Sequence, residues 1–297
     1  MGGGSQLGYG KFPINQRGQT SYSGAVFCID RWKVSGAGHD VVVGSDYITY
    51  TRTALTGNPY LSQTVTVPFD GTYTFSALYR TSKSCFGLNG NNRFPVSADW
   101  NLHSVTVSLT AGANAFHVIQ DYGAADGAAE VGDHIDIKAV KLELGAYQTL
   151  VHNEGTESNP NWVLNDLPDY DIELLKAQKY LQIIPASGTF LVPIGYGIGY
   201  DTTQIRVTVS LPTPMVKTPT VTVQNCSVRF YQDSLSAAIT TYTAVTATSG
   251  SSGNEHLRPY VMLRFTVTGA LNAKVAEVVI IGDSGSTNPG ILLSAED

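Results

Sequence analysis

The sequence predicts a mainly β protein with an N-terminal jelly-roll β-sandwich, a short central helix and a C-terminal β-sandwich. Short segments with β-branched or aromatic residues near period two follow one another along most of the 297 residues, separated by turn signals. Charged residues make up only 14% of the chain, and the abundant Thr, Ser, Gly, Val and Tyr suit pleated sheets and their turns. A single stretch, 169–184, carries a sustained helical period. The length exceeds one average core, so two domains are expected.

The first sandwich is predicted over residues 12–146, after a flexible lead-in at 1–11. Its alternating segments are YITYTRTAL (47–55), QTVTVPF (63–69), TYTFSALYRTS (72–82), HSVTVSLT (103–110), NAFHVIQDY (114–122) and HIDIKAVKLEL (134–144). Turn signals such as FDGT (69–72) and LNGNN (88–92) separate these segments. Many short strands at this spacing are typical of a sandwich or jelly roll.

A polar linker and a helix are predicted to follow. Residues 147–168 contain Pro160 and Pro168 and are expected to pack along the surface as a linker. Residues 169–184, DYDIELLKAQKYLQII, are predicted as an oligomerisation helix capped by Asp169. Its apolar residues recur with the spacing of a coiled-coil seam: Tyr170, Leu174, Ala177, Leu181 and Ile184. Two heptads are too short to form a coiled coil alone, so the helix packs either on one sandwich of its own chain or around a symmetry axis with other copies.

The second sandwich is predicted over residues 185–297. Its segments are TFLVPIGYGIGY (189–200), QIRVTVSL (204–211), TPTVTVQN (218–225), SVRFYQ (227–232), TYTAVTA (241–247), YVMLRFTV (260–267) and KVAEVVIIGD (274–283). The alternate glycines of GYGIGY (195–200) are not followed by a helix, so they do not form a phosphate-binding turn. They indicate a strand approached closely by its neighbours.

Composition excludes several classes of function. The net charge of −6 gives no basic footprint for nucleic acid or an anionic membrane surface. No apolar run approaches the roughly 20 residues of a membrane span, and the N-terminus has no signal-peptide pattern. Cys28, Cys85 and Cys226 are widely spaced and form neither a disulfide framework nor a zinc pattern, so they are predicted to be small core residues. No cofactor is expected.

Three segments resemble bacteriophage tail-fibre and appendage proteins. They are FPINQRGQTSYSGAVFCIDRWKV (12–34), IDIKAVKLELGAYQTLVHNEGTESNPNWVLNDLPDYDIELLKAQKYLQ (135–182) and LPTPMVKTPTVTV (211–223). Ala177 and Lys179 depart from the Cys and Arg usual in that family, and HNEGTESNPN (152–161) is longer than usual. The resemblance implies a homotrimeric virion protein, assembled with other virion proteins and made in the bacterial cytoplasm, which attaches to the host surface.

A second resemblance concerns the ligand. GTYTFSALYRTS (71–82) and HIDIKAVKLELG (134–145) look like facing strands in the jelly roll of carbohydrate-binding modules, which implies a bacterial surface glycan as partner. Glycan sites combine aromatic faces with planar polar groups at the rim. The candidates, expected to converge at one edge of the jelly roll, are Tyr79, Arg80, Arg93, Trp100 and Tyr122. The alternative is that Trp100 and Tyr79 fill the core. Trp32 is predicted in the core, and Trp162 is predicted to hold the linker on a sandwich.

Catalytic and metal sites are weakly indicated. GDSGS (282–286) resembles the nucleophile segment of serine hydrolases, but His39 and Asp40 lie in the other domain, so Ser284 is predicted to be part of a turn. Catalytic carboxylates are not evident, and we expect no enzymatic activity. Asp133 and Asp136 are the candidates for a structural calcium ion. The alternatives to host attachment are a purely structural capsid or tail decoration, such as a head fibre, and a depolymerase of surface polysaccharide.

Overall fold

The chain forms two compact units, Met1–Glu173 and Leu174–Asp297. The computed structural model describes residues 14–29, 31–55, 57, 59–90, 92–122, 130–165, 169–199, 203–231, 238–239, 242–248, 259–267, 275–283 and 289–296. The predicted lead-in at 1–11 and Ser284 lie outside these residues.

Unit 1 is a sandwich of two antiparallel sheets, followed by a hairpin. Its strands are β1 Ser21–Ser23, β2 Lys33–Val34, β3 His39–Val43, β4 Ile48–Arg52, β5 Tyr60–Val67, β6 Gly71–Thr81, β7 Phe86–Leu88, β8 Asn92–Arg93, β9 Ser97–Leu109, β10 Gly112–Asp121, β11 His134–Leu144, β12 Val151–Asn153 and β13 Trp162–Leu164. A six-stranded sheet has the order β1-β3-β4-β11-β6-β9, and a five-stranded sheet has the order β2-β5-β10-β7-β8.

The core of unit 1 lies between these sheets because each strand turns alternate side chains inward. Tyr79 of β6 and Ile137 of β11, which are register partners, are fully buried there. Trp32 is also in this core, as predicted from the sequence. Cys28 and Cys85 are buried as predicted, whereas Cys226 of unit 2 is partly exposed, and the structure describes all three as free thiols.

The predicted linker contains the antiparallel hairpin β12–β13. Its residues pack on the outer side of the six-stranded sheet, where Leu150 and Val151 contact buried Leu78 and Ala139. Trp162 packs against the same cluster, in agreement with its predicted role of holding this segment on the sandwich.

The helix is shorter than predicted. Helix α1 spans Tyr170–Gln178, and Asp169 caps it as expected by accepting a hydrogen bond from the Asp171 amide at 2.8 Å. After the helix the backbone becomes strand β14, Leu181–Pro185, which pairs in antiparallel register with the C-terminal strand β23, Gly290–Ser294. The helix ends here because this pairing, made over more than a hundred residues of sequence, replaces the local helical hydrogen bonds.

The predicted coiled-coil seam is therefore wrong in part. Leu181 and Ile184 lie on β14 rather than on the helix. Ala177 is 5% exposed and is covered within its own chain, so it does not face an external partner. The exposed apolar residues of α1 are Tyr170, at one end of the predicted seam, and Ile172 and Leu175, which flanked it.

Unit 2 is a second antiparallel β-structure with its own core. Its strands are β14 Leu181–Pro185, β15 Val192–Gly199, β16 Gln204–Ser210, β17 Thr220–Gln224, β18 Cys226–Tyr231, β19 Ala238–Ile239, β20 Tyr242–Thr248, β21 Tyr260–Val267, β22 Val275–Gly282 and β23 Gly290–Ser294. A three-stranded sheet has the order β14-β23-β17, and a seven-stranded sheet has the order β19-β18-β22-β15-β16-β21-β20. Residues of both sheets, including Phe265 and Ile291, share one buried cluster.

The glycine-rich segment GYGIGY lies largely on β15, at the centre of the seven-stranded sheet. A Cβ at Gly197 would lie 2.4 Å from the Ile205 Cγ2 atom, so only glycine fits at this point. The predicted close approach of neighbouring strands is confirmed here. Within the part of the chain that the structure describes, no helix is long and apolar enough to cross a membrane.

Candidate functional site

The outer face of the six-stranded sheet carries a group of aromatic and charged side chains. On β6 and β11, Tyr79 and Ile137 point into the core, so Arg80 and Asp136, which are register partners, point outward. A bulge between Ile137 and Ala139 places Lys138 beside them, and Trp100 comes from the neighbouring strand β9. We call this group, with two residues that precede β4, the Arg80–Trp100 cluster: Asp46, Tyr47, Arg80, Trp100, Asp136 and Lys138.

The Arg80 guanidinium is fixed by a carboxylate. Its Nε donates to Asp136 Oδ2 at 2.7 Å, and the Thr49 hydroxyl donates to Asp136 Oδ1 at 2.7 Å. The hydrogen bond to Asp136 raises the pKa of Arg80, against the lowering effect of burial. The Asp136 side chain is 9% exposed and that of Arg80 is 37% exposed, so the cation is held in place while part of it remains open to solvent.

Two aromatic rings flank this cation. Arg80 Cζ lies 4.8 Å from the Trp100 ring centroid and 5.2 Å from that of Tyr47. The two rings meet edge to face at 5.6 Å. Lys138 Nζ lies 5.4 Å from the Trp100 centroid and 2.8 Å from Asp46 Oδ2. The cluster therefore combines partly exposed aromatic surface with charged groups whose positions are set by one another.

Such a group suits a polar ligand that also has an apolar side. Aromatic rings contact the C–H faces of sugar rings, and planar charged groups bind hydroxyls with defined direction. Arg80 donates to Asp136 through its Nε atom, and the guanidinium also interacts with Tyr47. Side chains already held in place lose little conformational entropy when a ligand binds.

Of the five residues predicted for the glycan site, Tyr79 is a core residue. It is fully buried, its ring lies 4.5 Å from that of Phe94, and its hydroxyl donates to the Pro95 carbonyl at 2.8 Å. Burial raises the pKa of Tyr79 to about 12. The alternative reading, that this side chain fills the sandwich, is the one the structure supports.

Arg93 and Tyr122 form a separate pair. On β7, Phe86 and Leu88 point into the core, so Gly87 and its register partner Arg93 face outward from the five-stranded sheet. Arg93 Cζ lies 4.6 Å from the Tyr122 ring centroid. This pair and the Arg80–Trp100 cluster lie on opposite faces of the sandwich. The expected convergence of all five residues at one edge is therefore wrong, because strand register sends the two arginines to different faces.

Tyr47, Lys138 and Asp46 were not predicted from the sequence as site residues, and Asp136 was predicted only as a candidate calcium ligand. Tyr47 precedes a strand and Lys138 occupies a bulge, and neither position follows from period-two alternation. The signal that was present is the alternation in GTYTFSALYR, which places Arg80 on the face opposite Tyr79.

A second polar group is enclosed inside the sandwich. Asp121 accepts hydrogen bonds from His39 Nε2 at 2.5 Å and from Arg52 Nε at 2.7 Å, and also from an Nη of Arg52. All three side chains are at most 1% exposed. Asp133 lies 3.9 Å from the same guanidinium. We call these four residues the buried charge cluster. Being closed to solvent, it contributes to stability rather than to contact with a ligand.

Two neutral groups adjoin the buried charge cluster. The Tyr50 ring stacks on His39 at 4.7 Å, and burial together with the charge of Asp121 raises the pKa of Tyr50 well above its usual range. Burial raises the pKa of the Cys85 thiol to about 11, against the lowering effect of Arg52. A protonated, buried thiol is a poor nucleophile at neutral pH, although His and Asp side chains lie in the same cluster.

The calcium candidates do not face one site. Asp133 lies by Arg52, on the inner side of the six-stranded sheet, whereas Asp136 lies on the outer side with Arg80. Each carboxylate is placed beside an arginine, which supplies the positive charge that an ion would bring. Among the described residues, no group of three or more His, Cys, Asp or Glu side chains is placed to hold a metal ion.

Comparison with known proteins finds distant structural likeness only. No family model matches the chain, and no curated protein matches its sequence. A carbohydrate-binding module of Cellvibrio mixtus lichenase 5A, solved with cellotriose, matches 48% of this chain and 98% of its own, at 12% identity and a TM-score of 0.26. An isomalto-dextranase of Arthrobacter globiformis T6, solved with panose, matches 44% of this chain and 24% of its own, at 19% identity and a TM-score of 0.26.

A third solved structure matches a larger share of the chain. It is a cycloisomaltooligosaccharide glucanotransferase of a Paenibacillus species, complexed with cycloisomaltoheptaose. The match spans 90% of this chain and 46% of that protein, at 11% identity and a TM-score of 0.24. With TM-scores below 0.5, these likenesses do not establish what the present chain binds.

Proposed function

We propose that unit 1 binds glycans through the Arg80–Trp100 cluster, without catalysing a reaction on them. The observation that carries this proposal is the Arg80 guanidinium, which is held by Asp136 at 2.7 Å and flanked by the rings of Trp100 and Tyr47. Aromatic surface beside an oriented, partly exposed cation matches the two sides of a sugar ring. Both carboxylates of the cluster are engaged by cations, Asp136 by Arg80 and Asp46 by Lys138, which favours a binding role over a catalytic one.

The biological setting is proposed from the sequence resemblance. We infer a bacteriophage virion protein, a trimeric fibre or appendage that attaches to the glycans of the host cell surface. Three copies turn weak sugar contacts into useful avidity when the geometry allows simultaneous engagement. The exposed Tyr170, Ile172 and Leu175 of α1 offer apolar surface for a contact between copies, whereas Ala177 does not.

The glycan site is tested by comparing two matched arginine variants. Arg80→Lys keeps the charge but removes the planar guanidinium, and Arg93→Lys makes the same change beside Tyr122 on the opposite face. We expect the full-length chain to bind host surface polysaccharide on a glycan array, Arg80→Lys to lose about tenfold or more, and Arg93→Lys to bind like the wild type. Equal losses in both variants, or no binding by the wild-type chain, would contradict the proposal.

The trimer is tested separately by light scattering on the purified chain. We expect a mass of about three times 31.7 kDa, and a lower mass for the double variant Ile172→Ser/Leu175→Ser. A monomeric wild-type chain would remove the trimer and leave glycan binding untouched.

The two rival functions predict different results. A structural decoration or head fibre predicts gold-labelled antibody on the capsid and no binding to host glycan. A depolymerase predicts falling viscosity and new reducing ends when the chain is incubated with host polysaccharide.

A further inference from the structure

The six-stranded sheet of unit 1 ends in a long edge strand. This strand is β9, Ser97–Leu109, and among the strands that the structure describes it pairs with β6 alone. The other strands that end the two sheets of unit 1, β1, β2 and β8, have only two or three residues each. Proteins keep edge strands short because an edge presents unpaired backbone N–H and C=O groups to other chains. With 13 residues, β9 departs from that pattern.

The two halves of β9 have different surroundings. In the first half, Trp100 and Leu102 pack in the cluster that the hairpin β12–β13 also contacts. The backbone amide of Leu102 donates to the side chain of Asn101 at 2.9 Å. In the second half, residues 104–109, the backbone forms no hydrogen bond with any described residue outside β6. We call residues 104–109 the open edge of unit 1.

The side chains of the open edge alternate between two faces. Val105 and Val107 pack against the core of unit 1 but are only partly buried. Ser104, Thr106 and Ser108 are therefore on the outer face, and all three are exposed. The open edge contains no lysine, proline or other residue type with which proteins block an edge strand. A further strand added here would satisfy the backbone groups and complete the burial of the two valines.

The sequence of the open edge reads the same in both directions. Residues 104–108 are SVTVS, a palindrome with Thr106 at its centre. In an antiparallel pair of two copies centred on Thr106, each serine is opposite a serine and each valine is opposite a valine. The valines then meet on the core face and the hydroxyl groups meet on the outer face, and no like charges are opposed. Such a pair has two-fold symmetry, which is the commonest symmetry between identical chains.

We propose that the open edge pairs with the open edge of a second copy of this chain, antiparallel and centred on Thr106. The two six-stranded sheets then become one continuous sheet. A strand of an unrelated protein fits less well, because the palindrome matches only a copy of itself. The open edge contains no residue of the Arg80–Trp100 cluster or of α1, so the proposal does not rest on glycan binding or on the trimer. It adds a second contact, which joins chains of different assemblies.

Disulfide cross-linking of the full-length chain tests this register. All variants carry Cys226→Ser, and the remaining Cys28 and Cys85 are buried. Directly opposed residues have Cα atoms about 4.5–5.5 Å apart, within the range of a disulfide. We therefore expect Thr106→Cys to form a covalent dimer on mild oxidation, measured on a non-reducing denaturing gel. Ser108→Cys is the matched control: its two copies would lie about 14 Å apart along the strands, so we expect at least tenfold less dimer.

Mixtures of two variants test the same register in a second way. Ser104→Cys and Ser108→Cys chains are each expected to give little dimer alone and at least fivefold more when mixed before oxidation. Adding Thr106→Lys to both chains opposes two like charges and is expected to remove that gain. Thr106→Lys in one chain and Thr106→Glu in the other is expected to restore it. Thr220→Lys, the same change at an exposed position of β17, is expected to leave the yield unchanged.

Three outcomes would overturn the proposal. They are no covalent dimer in Thr106→Cys, equal yields in Thr106→Cys and Ser108→Cys, and a loss in the lysine variants that the lysine and glutamate mixture does not restore. Equal yields would indicate non-specific association of exposed strands. Light scattering gives an independent measurement, because the wild-type mass is expected to rise with concentration towards twice its dilute value, and that of Thr106→Lys is expected to stay constant. A constant wild-type mass together with no Thr106→Cys dimer would assign the open edge to the isolated fold.

Discussion

Replacing Asp121 by Asn is expected to destabilise unit 1 strongly. The substitution keeps the shape of the side chain but removes the charge that His39 Nε2 and Arg52 Nε contact at 2.5 Å and 2.7 Å. It also turns an acceptor into an amide donor that faces the donors of Arg52. Among the described residues, the carboxylate that remains beside the guanidinium is that of Asp133, at 3.9 Å. Removing one partner of a buried pair in this way costs about 3–5 kcal/mol in the free energy of unfolding.

The chain contains a matched control for this prediction. Asp136 accepts a hydrogen bond from Arg80 Nε at 2.7 Å, the same distance as between Arg52 Nε and Asp121. The Arg80 side chain is 37% exposed, whereas that of Arg52 is fully buried. Because water can solvate the Arg80 guanidinium after its partner is lost, Asp136→Asn is expected to cost only about 1 kcal/mol. The two variants therefore compare the same chemical change at different burial.

Tryptophan fluorescence reports on the relevant unit. The three tryptophans of the chain, Trp32, Trp100 and Trp162, all belong to unit 1, so their emission during urea unfolding follows that unit alone. Adding Arg52→Leu to Asp121→Asn tests the origin of the loss, because a double variant less destabilised than the sum of its single variants shows direct coupling. If Asp121→Asn costs no more than Asp136→Asn, the assignment of the buried charge cluster to stability is refuted.

Three further predictions concern single positions. In Gly87→Ala, the new Cβ would lie 2.5 Å from both a backbone carbonyl and the Tyr122 ring, so tryptophan-detected unfolding is expected to show a loss of about 1–3 kcal/mol, and an unchanged midpoint would contradict the tight packing. Burial lowers the pKa of His103, against the raising effect of a backbone carbonyl, so the folded state favours the neutral ring. The free energy of unfolding is therefore expected to fall as the pH drops below about 6.5, and to fall less in the His103→Gln variant. If the wild-type protein and the His103→Gln variant show the same pH dependence of unfolding, His103 does not cause the loss of stability at low pH. In Gly197→Ala, the Cβ would lie 2.4 Å from a core isoleucine methyl, so calorimetry is expected to show a lower melting temperature than in Gly188→Ala, where no atom lies within 4 Å.

The order of the strands along the chain could be predicted from the sequence because alternation is a local property. The segment HIDIKAVKLEL coincides with β11 and YVMLRFTV with β21, since each turns one side into a core and the other outward. The cap at Asp169 was equally local, because a side chain and the amides it binds lie within three residues. These features depend on neighbours in sequence, and no tertiary contact overrides them.

The candidate site could be predicted only in part. Arg80 and Trp100 lie close together as expected, because their strands, β6 and β9, are paired in the same sheet. Arg93 lies on the opposite face of the sandwich, and the cluster includes Tyr47 and Lys138, which were not predicted. Sheet order and a β-bulge determine which residues distant in sequence are neighbours in the fold. The buried charge cluster shows the same limit, since His39 and Asp121 are separated by 82 residues in sequence.

Sequence alone therefore determined the mainly β class, the positions of most strands and the start of the helix, all of which follow from side chains within a few residues of one another. Only the tertiary structure decided where the helix ends and which charges face each other. Residues 181–185 have a pattern compatible with helix or strand, and pairing with Gly290–Ser294 at the far end of the chain makes them a strand. Long-range backbone hydrogen bonds outweigh the weak local preference of this segment for helix or strand. These hydrogen bonds cannot be inferred from the sequence of the segment itself.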